Sequence, residues 1–394
     1  MREGWEYKKL GEVSIYPTKR LSLTNLSGQQ YVGVETLIKD RGGVSFSDEL
    51  PKVDNAIEFM KNDILIGNIR PYLKKIWKAD RYGASSGDVI TIRVADNFVS
   101  RLNSSYLYNV LSSDSFFEYD NINTHGAKMP RGDRKAIAEF IIPIPPLSIQ
   151  LSIVSEIDMI TEMISKYDEQ LKELDKLSQS IFYEMFGDPI ENEKGWEVKY
   201  LKELCSNITN GNTPNNAKDV YVNYGITFLR SQNVWNNYID YDDVVYIDEE
   251  TNNKLRKSIL HYNDILITKT GRYNTENSSL GRCALFKGKD STANINGHVY
   301  LARLKGYENP TFVISILTTR AYRNYIRRVC VGGIDKRQIN LCHVEDFPII
   351  LPPLPLQQSF ARKIEAIEAM KSKVREAKKE AETLLAARMQ YWFE

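Results

Sequence analysis

Two stretches of the chain repeat an apolar residue at alternating steps of four and three. The first takes in Ile153, Ile157, Ile160, Ile164, Tyr167, Leu171, Leu174, Ser178, Ile181 and Met185, with one polar lapse; the second takes in Ile367, Met370, Val374, Ala377, Ala381, Leu384 and Arg388. This spacing predicts long helices carrying a coiled-coil seam. Neither 150–186 nor 357–393 contains a proline or glycine to interrupt it. Each helix should run about 35 residues, roughly 50 Å at 1.5 Å per residue. Before each seam lies a region of short alternating or β-branched runs broken by Gly, Asn and Ser. Residues 30–35, 63–68 and 89–94, and later 225–230, 264–268 and 298–304, read as strands. Helical stretches are predicted at Ser104 to Tyr119 and Pro310 to Arg328, each followed by a proline-rich elbow that stops a strand and sets up the next helix. The fold class is α+β: two β-rich regions separated by two long helices.

The order of elements is the same twice. GWEYKKLGE at 4–12 returns as GWEVKYLKE at 195–203, NDILI at 62–66 as NDILI at 263–267, GDVITIR at 87–93 as GHVYLAR at 297–303, and IPIPPLSIQ at 142–150 as IILPPLPLQ at 349–357. A drifting offset with preserved order is what a diverged tandem duplication gives. If the copies fold with approximate two-fold symmetry, the helices lie antiparallel and seam to seam, with one β-rich domain at each end. The short side chains of Ala377 and Ala381 allow close approach. The first helical segment, 151–186, has three lysines against eight carboxylates and faces Lys371, Lys373, Arg375, Lys378 and Lys379 on the second, which also favours pairing.

Composition narrows the class. The 394 residues are 42% hydrophobic and 26% charged, as in an ordinary soluble protein. No run approaches the ~20 apolar residues of a membrane span, and the first residues lack a signal-peptide core, so a cytoplasmic chain without membrane contact is expected. Cys205, Cys283, Cys330 and Cys342 all fall in the second copy, which suggests neither a disulfide framework nor a paired metal site. The net charge of +1 does not by itself identify a nucleic-acid binder.

Catalytic signatures are absent from the sequence. Gly288-Lys289 is followed by Asp290 and lacks the phosphate-loop spacing; there is no HExxH, paired CxxC or GxSxG, and His125, His261, His298 and His343 are scattered. No glycine-rich cofactor loop follows a strand, and no Asn-Pro-Pro-aromatic tetrapeptide occurs. Asp63 and Asp264 read as turn residues at the start of a strand. What remains are basic loops interleaved with aromatics. After the first NDILI come Arg70, Tyr72, Lys74, Lys75, Trp77, Lys78, Arg81 and Tyr82; after the second come Lys269, Arg272, Tyr273 and Arg282. A second pair precedes the elbows, with Lys128, Arg131, Arg134 and Lys135 in one copy and Lys336, Arg337 and Gln338 in the other. Ammonium and guanidinium groups meet phosphates, and planar side chains pair with base edges. One such loop is as readily a solvated hairpin. Two at equivalent places of a duplication favour a binding role.

The GWE start, the β-rich region, the xPIPPLxxQ elbow, a long helix ending SIFYEMFGD, and the same again ending LLAARMQYWFE together resemble the specificity subunit of type I restriction-modification systems, over essentially the whole chain. The resemblance implies target recognition domains at 1–150 and 188–356 and spacer helices at 151–187 and 357–394. Each domain would read one half of a bipartite, asymmetric site in double-stranded DNA, while the helices fix the unspecified spacer. It further implies two modification (methyltransferase) subunits carrying S-adenosylmethionine and restriction subunits carrying ATP and magnesium, with no cofactor in this chain. The expected DNA-contacting set is Arg70, Tyr72, Lys74, Lys75, Arg81, Lys128, Arg131, Lys269, Arg272, Tyr273, Lys336 and Arg337. The expected helix interface is Ile160, Ile164, Leu171, Leu174, Ile367, Met370, Val374 and Leu384. The competing readings are a stand-alone DNA methyltransferase or nuclease with a divergent site, and a coiled-coil scaffold that binds protein only.

Overall fold

The computed structural model describes residues 2–126, 128–214, 220–275 and 278–394. Its chain splits into two compact units, Met1–Glu169 with Arg375–Glu394, and Gln170–Val374. Each unit therefore contains one β-rich region and a part of both long helices.

In the first unit a four-stranded sheet runs in the spatial order Ser14–Ile15, Val89–Val94, Ile64–Gly67, Ile76–Lys78, and a second in the order Arg20–Ser22, Asn55–Phe59, Gly83–Ser85, Tyr31–Val32. The second unit repeats the first of these as Cys205–Asn210, Val299–Leu304, Ile265–Thr268, Cys283–Leu285. The GWE segment explains itself in both: Glu6–Lys9 pairs antiparallel with Ile141–Ile144, and Glu197–Tyr200 with Pro348–Leu351. Each copy thus closes its own beginning onto its own elbow.

The NDILI repeat encodes a buried ion pair. Asp63 Oδ2 accepts from the backbone N–H of Met60, and Arg93 Nη2 donates to it at 2.7 Å. Asp264 does the same with His261 and with Arg303, again at 2.7 Å. Both carboxylates are buried, and their partners are the final arginines of the GDVITIR and GHVYLAR strands. The two aspartates are structural, as the turn reading expects.

The elbows are clamped. Gln150 donates to the carbonyls of Arg101 and Pro145 and accepts from Asn103 N–H. Gln357 donates to Pro352 O and accepts from Asn309 N–H. Asn103 and Asn309 in turn cap the short helices Ser104–Leu111 and Pro310–Leu317. The glutamine that ends each elbow motif is a buried bracket between the long helix and a short one.

The short helices depart from the sequence reading. Each expected stretch is two helices, Ser104–Leu111 then Asp114–Ile122, and Pro310–Leu317 then Arg320–Val329. Ser113 and Thr319 make the break, because each hydroxyl accepts from an N–H three residues on and so starts a new helix.

The long helices are Leu147–Phe186 and Leu354–Phe393. They begin at the leucine after the proline pair, a few residues before the expected 151 and 357, because proline fits a first helical turn, where its missing N–H costs nothing. Within the first unit Arg388 donates to Glu156 at 3.0 Å and Lys378 to Asp168 at 2.6 Å. Within the second, Lys371 meets Asp175 at 2.6 Å and the rings of Phe182 and Phe360 are 5.7 Å apart. Numbers rise along one helix as they fall along the other, so the pair is antiparallel in each unit. The seam of the second helix differs from expectation. Met370 and Leu384 stand 55% and 49% exposed, while Lys371 is 2% exposed. Apolarity alone selected Met370; the steps of four and three from Ile367 lead instead through Lys371, whose ammonium is held by Asp175 and Glu368. Ile160, Ile367 and Val374 are buried; Ile164, Leu171 and Leu174 are half-buried.

Each long helix finishes in a core. Phe186 packs on Phe312 at 4.8 Å in the second unit, and Phe393 packs on Tyr106 at 5.8 Å in the first. No helix among the described residues is long and apolar enough to cross a membrane.

Candidate nucleic-acid interface

The loop after the NDILI strand and the hairpin before the elbow are far apart in sequence but touch in both copies. In the first unit the hairpin pairs Thr124–His125 with Arg131–Gly132. Arg70 N–H donates to Pro130 O at 2.7 Å and Gly132 N–H to Asn68 O at 3.2 Å, which pins the loop to the hairpin. In the second unit the contact is a three-stranded sheet, Thr270–Arg272 against Lys336–Gln338 against Val331–Gly332. Arg272 lies opposite Lys336, and Gly271 opposite Arg337. Ala127 of the first hairpin and Glu276 and Asn277 of the second loop lie outside the described residues.

In the first unit some of the basic side chains are paired within the protein and others are not. Lys74 donates to Asp114 at 2.5 Å, beside Arg41, and together they hold that carboxyl below the usual range. Lys75 donates to Val34 O at 2.6 Å, and Arg81 pairs with the adjacent Asp80 at 2.6 Å and lies 4.5 Å from the Phe46 ring. Trp77 is in the core against Phe46 and Phe59. By contrast Arg70 and Lys128 are exposed, with no side-chain hydrogen bond or ion pair among the described residues. Arg131 reaches Asp88 at 3.1 Å but stays half open to solvent, and Tyr72 is also exposed. Arg70 holds a left-handed backbone at φ 54°, which turns it out of the strand's path.

The second unit is arranged by stacking. The Arg337 guanidinium lies 3.8 Å from the centre of the Tyr273 ring, and its Nε donates to Gly333 O. Arg272 is exposed, 3.8 Å from Asp335, and Lys336 is exposed with no side-chain partner among the described residues. Lys269 sits lower, its ammonium 5.8 Å from the Tyr300 ring. A stacked, planar guanidinium is oriented before any ligand arrives.

Sequence reasoning missed the turn tips that flank these loops. Arg41, at φ 62°, follows the bridge-flanked Leu37 and donates to Ser112 O at 2.5 Å. Its counterpart is Trp235, stacked on Tyr238 and covered by Arg282 at 3.7 Å. The signals were the Asp-Arg-Gly-Gly and Asn-Asn turn residues between apolar positions. All four cysteines are free, three of them buried, and no metal-holding group of His, Cys, Asp or Glu occurs among the described residues.

The family model of the type I restriction modification DNA specificity domain matches twice, over residues 2–175 and 193–382. Among curated proteins, the chain is similar to the putative type I restriction enzyme MjaX specificity subunit of Methanocaldococcus jannaschii, 26% identical over 44% of this chain and 39% of that protein. It is also similar to the MjaVIII specificity subunit of the same organism, 22% identical over 71% of this chain and 68% of that one. The match thus spans well under two thirds of the first relative's length. Among solved structures, a chain of a type I R-M system assembly superposes with a TM-score of 0.55 at 18% identity, covering 100% of this chain and 98% of that one. The type I restriction-modification S subunit of M. genitalium gives 0.56 at 12% identity, covering 98% and 95%. At those identities the likeness is one of fold.

Proposed function

Since the chain belongs to the type I restriction modification DNA specificity family and carries the domain twice, we propose that it is the non-catalytic sequence-reading subunit of such a system. Each β-rich region reads one half of a bipartite, asymmetric site in double-stranded DNA, and the long helices set the unspecified spacer. The observation that carries the reading is the joining, in both copies, of two separate basic segments into one patch: Arg70 with Lys128 and Arg131, and Arg272 and Tyr273 with Lys336 and Arg337. Exposed cations contact phosphates and the stacked Arg337 addresses base edges. Because the patches differ, the half-sites differ.

Modification and restriction subunits supply the chemistry, with S-adenosylmethionine in the former and ATP and magnesium in the latter. The outward side of the first long helix offers them Met159, Met163 and Leu177, all exposed and apolar. The test is methylome sequencing of a host expressing this chain with its modification subunits. The expected result is one two-part motif with unlike halves, and Arg337→Ala relaxing only one of them. Methylation at a single contiguous motif overturns the reading, as does turnover by the purified chain alone with DNA, magnesium and S-adenosylmethionine.

A further inference from the structure

Ile334 is the most exposed large hydrophobic side chain among the described residues, at 89%. It sits at the tip of the second unit's hairpin, where Val331 pairs with Gln338 and Gly332 with Arg337. The tip is held from both sides. Tyr273 N–H donates to Asp335 O at 2.8 Å, and Arg337 Nε donates to Gly333 O at 3.3 Å. Gly332, at φ 135°, supplies a turn that other residues do not readily make. Around this tip stand Arg272, Lys336 and Arg337, and Asp335 faces Arg272. This branched aliphatic group, on a braced, cation-ringed tip, has almost no packing partner among the described residues.

The first unit has the same device with another residue. Its hairpin carries Met129, 50% exposed, between Lys128 and the Pro130-Arg131 pair, with Gly126 at φ 90° making the turn. The Pro130 carbonyl is fixed by Arg70 N–H. Each hairpin thus carries an exposed apolar side chain in its loop, Met129 two residues before Arg131 in the first unit and Ile334 four residues before Gln338 in the second.

We propose that Ile334 and Met129 are wedges that enter between base pairs of the bound duplex, one in each half-site, while the flanking arginines and lysines hold the phosphates on either side. The inference rests on the DNA-reading function proposed above. Isoleucine and methionine are among the side chains that partly unstack a base step, and unstacking kinks the duplex and brings more of it against the protein. The cost of unstacking depends on the step, so a wedge adds discrimination at a position that no polar side chain reads.

The test uses the full chain assembled with its modification subunits and a duplex bearing the methylated site, with 2-aminopurine placed at successive positions across both halves. A fluorescence rise is expected at one step in each half. Ile334→Ala removes the rise in one half only and weakens the complex by about tenfold, the scale of truncating one buried anchor; Ile334→Leu retains both. Met129→Ala removes the rise in the other half. A specific gel shift with no fluorescence rise at any position, or a rise that survives Ile334→Ala, overturns the wedge and leaves the sequence-reading function standing. Loss of the modification subunit from the Ile334→Ala complex also overturns it, assigning Ile334 to a protein contact. A complex that shifts no duplex overturns the reading function and the wedge together.

Discussion

The two units share a framework, and one of the buried positions at which they differ contrasts a carboxyl with an alkyl group. Seven residues after the capping Ser113 stands Asp120; seven residues after the capping Thr319 stands Ile326. Both are essentially inaccessible. Ile326 lies against Gly281 inside an apolar cluster. Asp120 lies against Gly132 at the base of the hairpin, near Asn68 Oδ1, and neither of its oxygens has a hydrogen-bond partner among the described residues. Burial alone pushes its pKa up from 3.8 to about 6. The same scaffold therefore supports its basic loops on a greasy contact in one copy and on an uncompensated carboxyl in the other.

Breaking the shared part gives the largest effect. Asp264→Ala strands a half-buried guanidinium on Arg303, and Asp63→Ala does the same to Arg93; each is expected to cost roughly 3 kcal/mol, measured by urea denaturation. Nearly equal losses mean that the framework is equivalent, and a large inequality breaks the comparison. The differing position comes next. Asp120 binds its proton more tightly folded than unfolded, so its stabilising contribution is complete below about pH 4 and is lost as pH rises through about 6. The loss is up to about 3 kcal/mol for a shift of this size. Asp120→Asn is expected to flatten that part of the first unit's pH profile and to raise its melting temperature at pH 7; an unchanged profile removes Asp120 as the cause. Smaller still are the caps: Ser113→Ala and Thr319→Ala should each cost about 1 kcal/mol, readable as local hydrogen exchange at Phe116 and Tyr322. The smallest effects concern DNA. Arg70→Ala and Lys336→Ala are each expected to lower the slope of log affinity against log salt by about 0.9, whereas Lys74→Ala, already paired with Asp114, leaves the slope unchanged. Equal slopes for Lys74→Ala and Arg70→Ala would show that the division of cations is wrong.

The helices, the repeat and the NDILI strands were legible because their signals are periodic or duplicated. The break at Ser113 and Thr319 was not, since a hydroxyl within a helical run reads equally as a surface residue. The Met370 and Leu384 error has a similar source: a buried lysine satisfied by two carboxylates looks polar in sequence and behaves as part of the seam. For the site, the two basic segments of each copy were visible, but their joining depends on backbone bonds between residues some sixty apart, such as Arg70 and Pro130. Which cations are paired within the protein was invisible for the same reason, because Lys74 meets an aspartate forty residues away.

The bracketed glutamines carry a mechanical consequence. A joint dense with proline invites comparison with a hinge, yet Gln150 ties the start of its long helix to Arg101 and the cap residue Asn103 by two hydrogen bonds, Gln357 ties the other to the cap residue Asn309 by one, and each also donates to a proline carbonyl of its own elbow. The joint is a weld. Torque applied to the beginning of either helix is passed to the short helix beside it, and bending within a unit has to be found elsewhere along the chain.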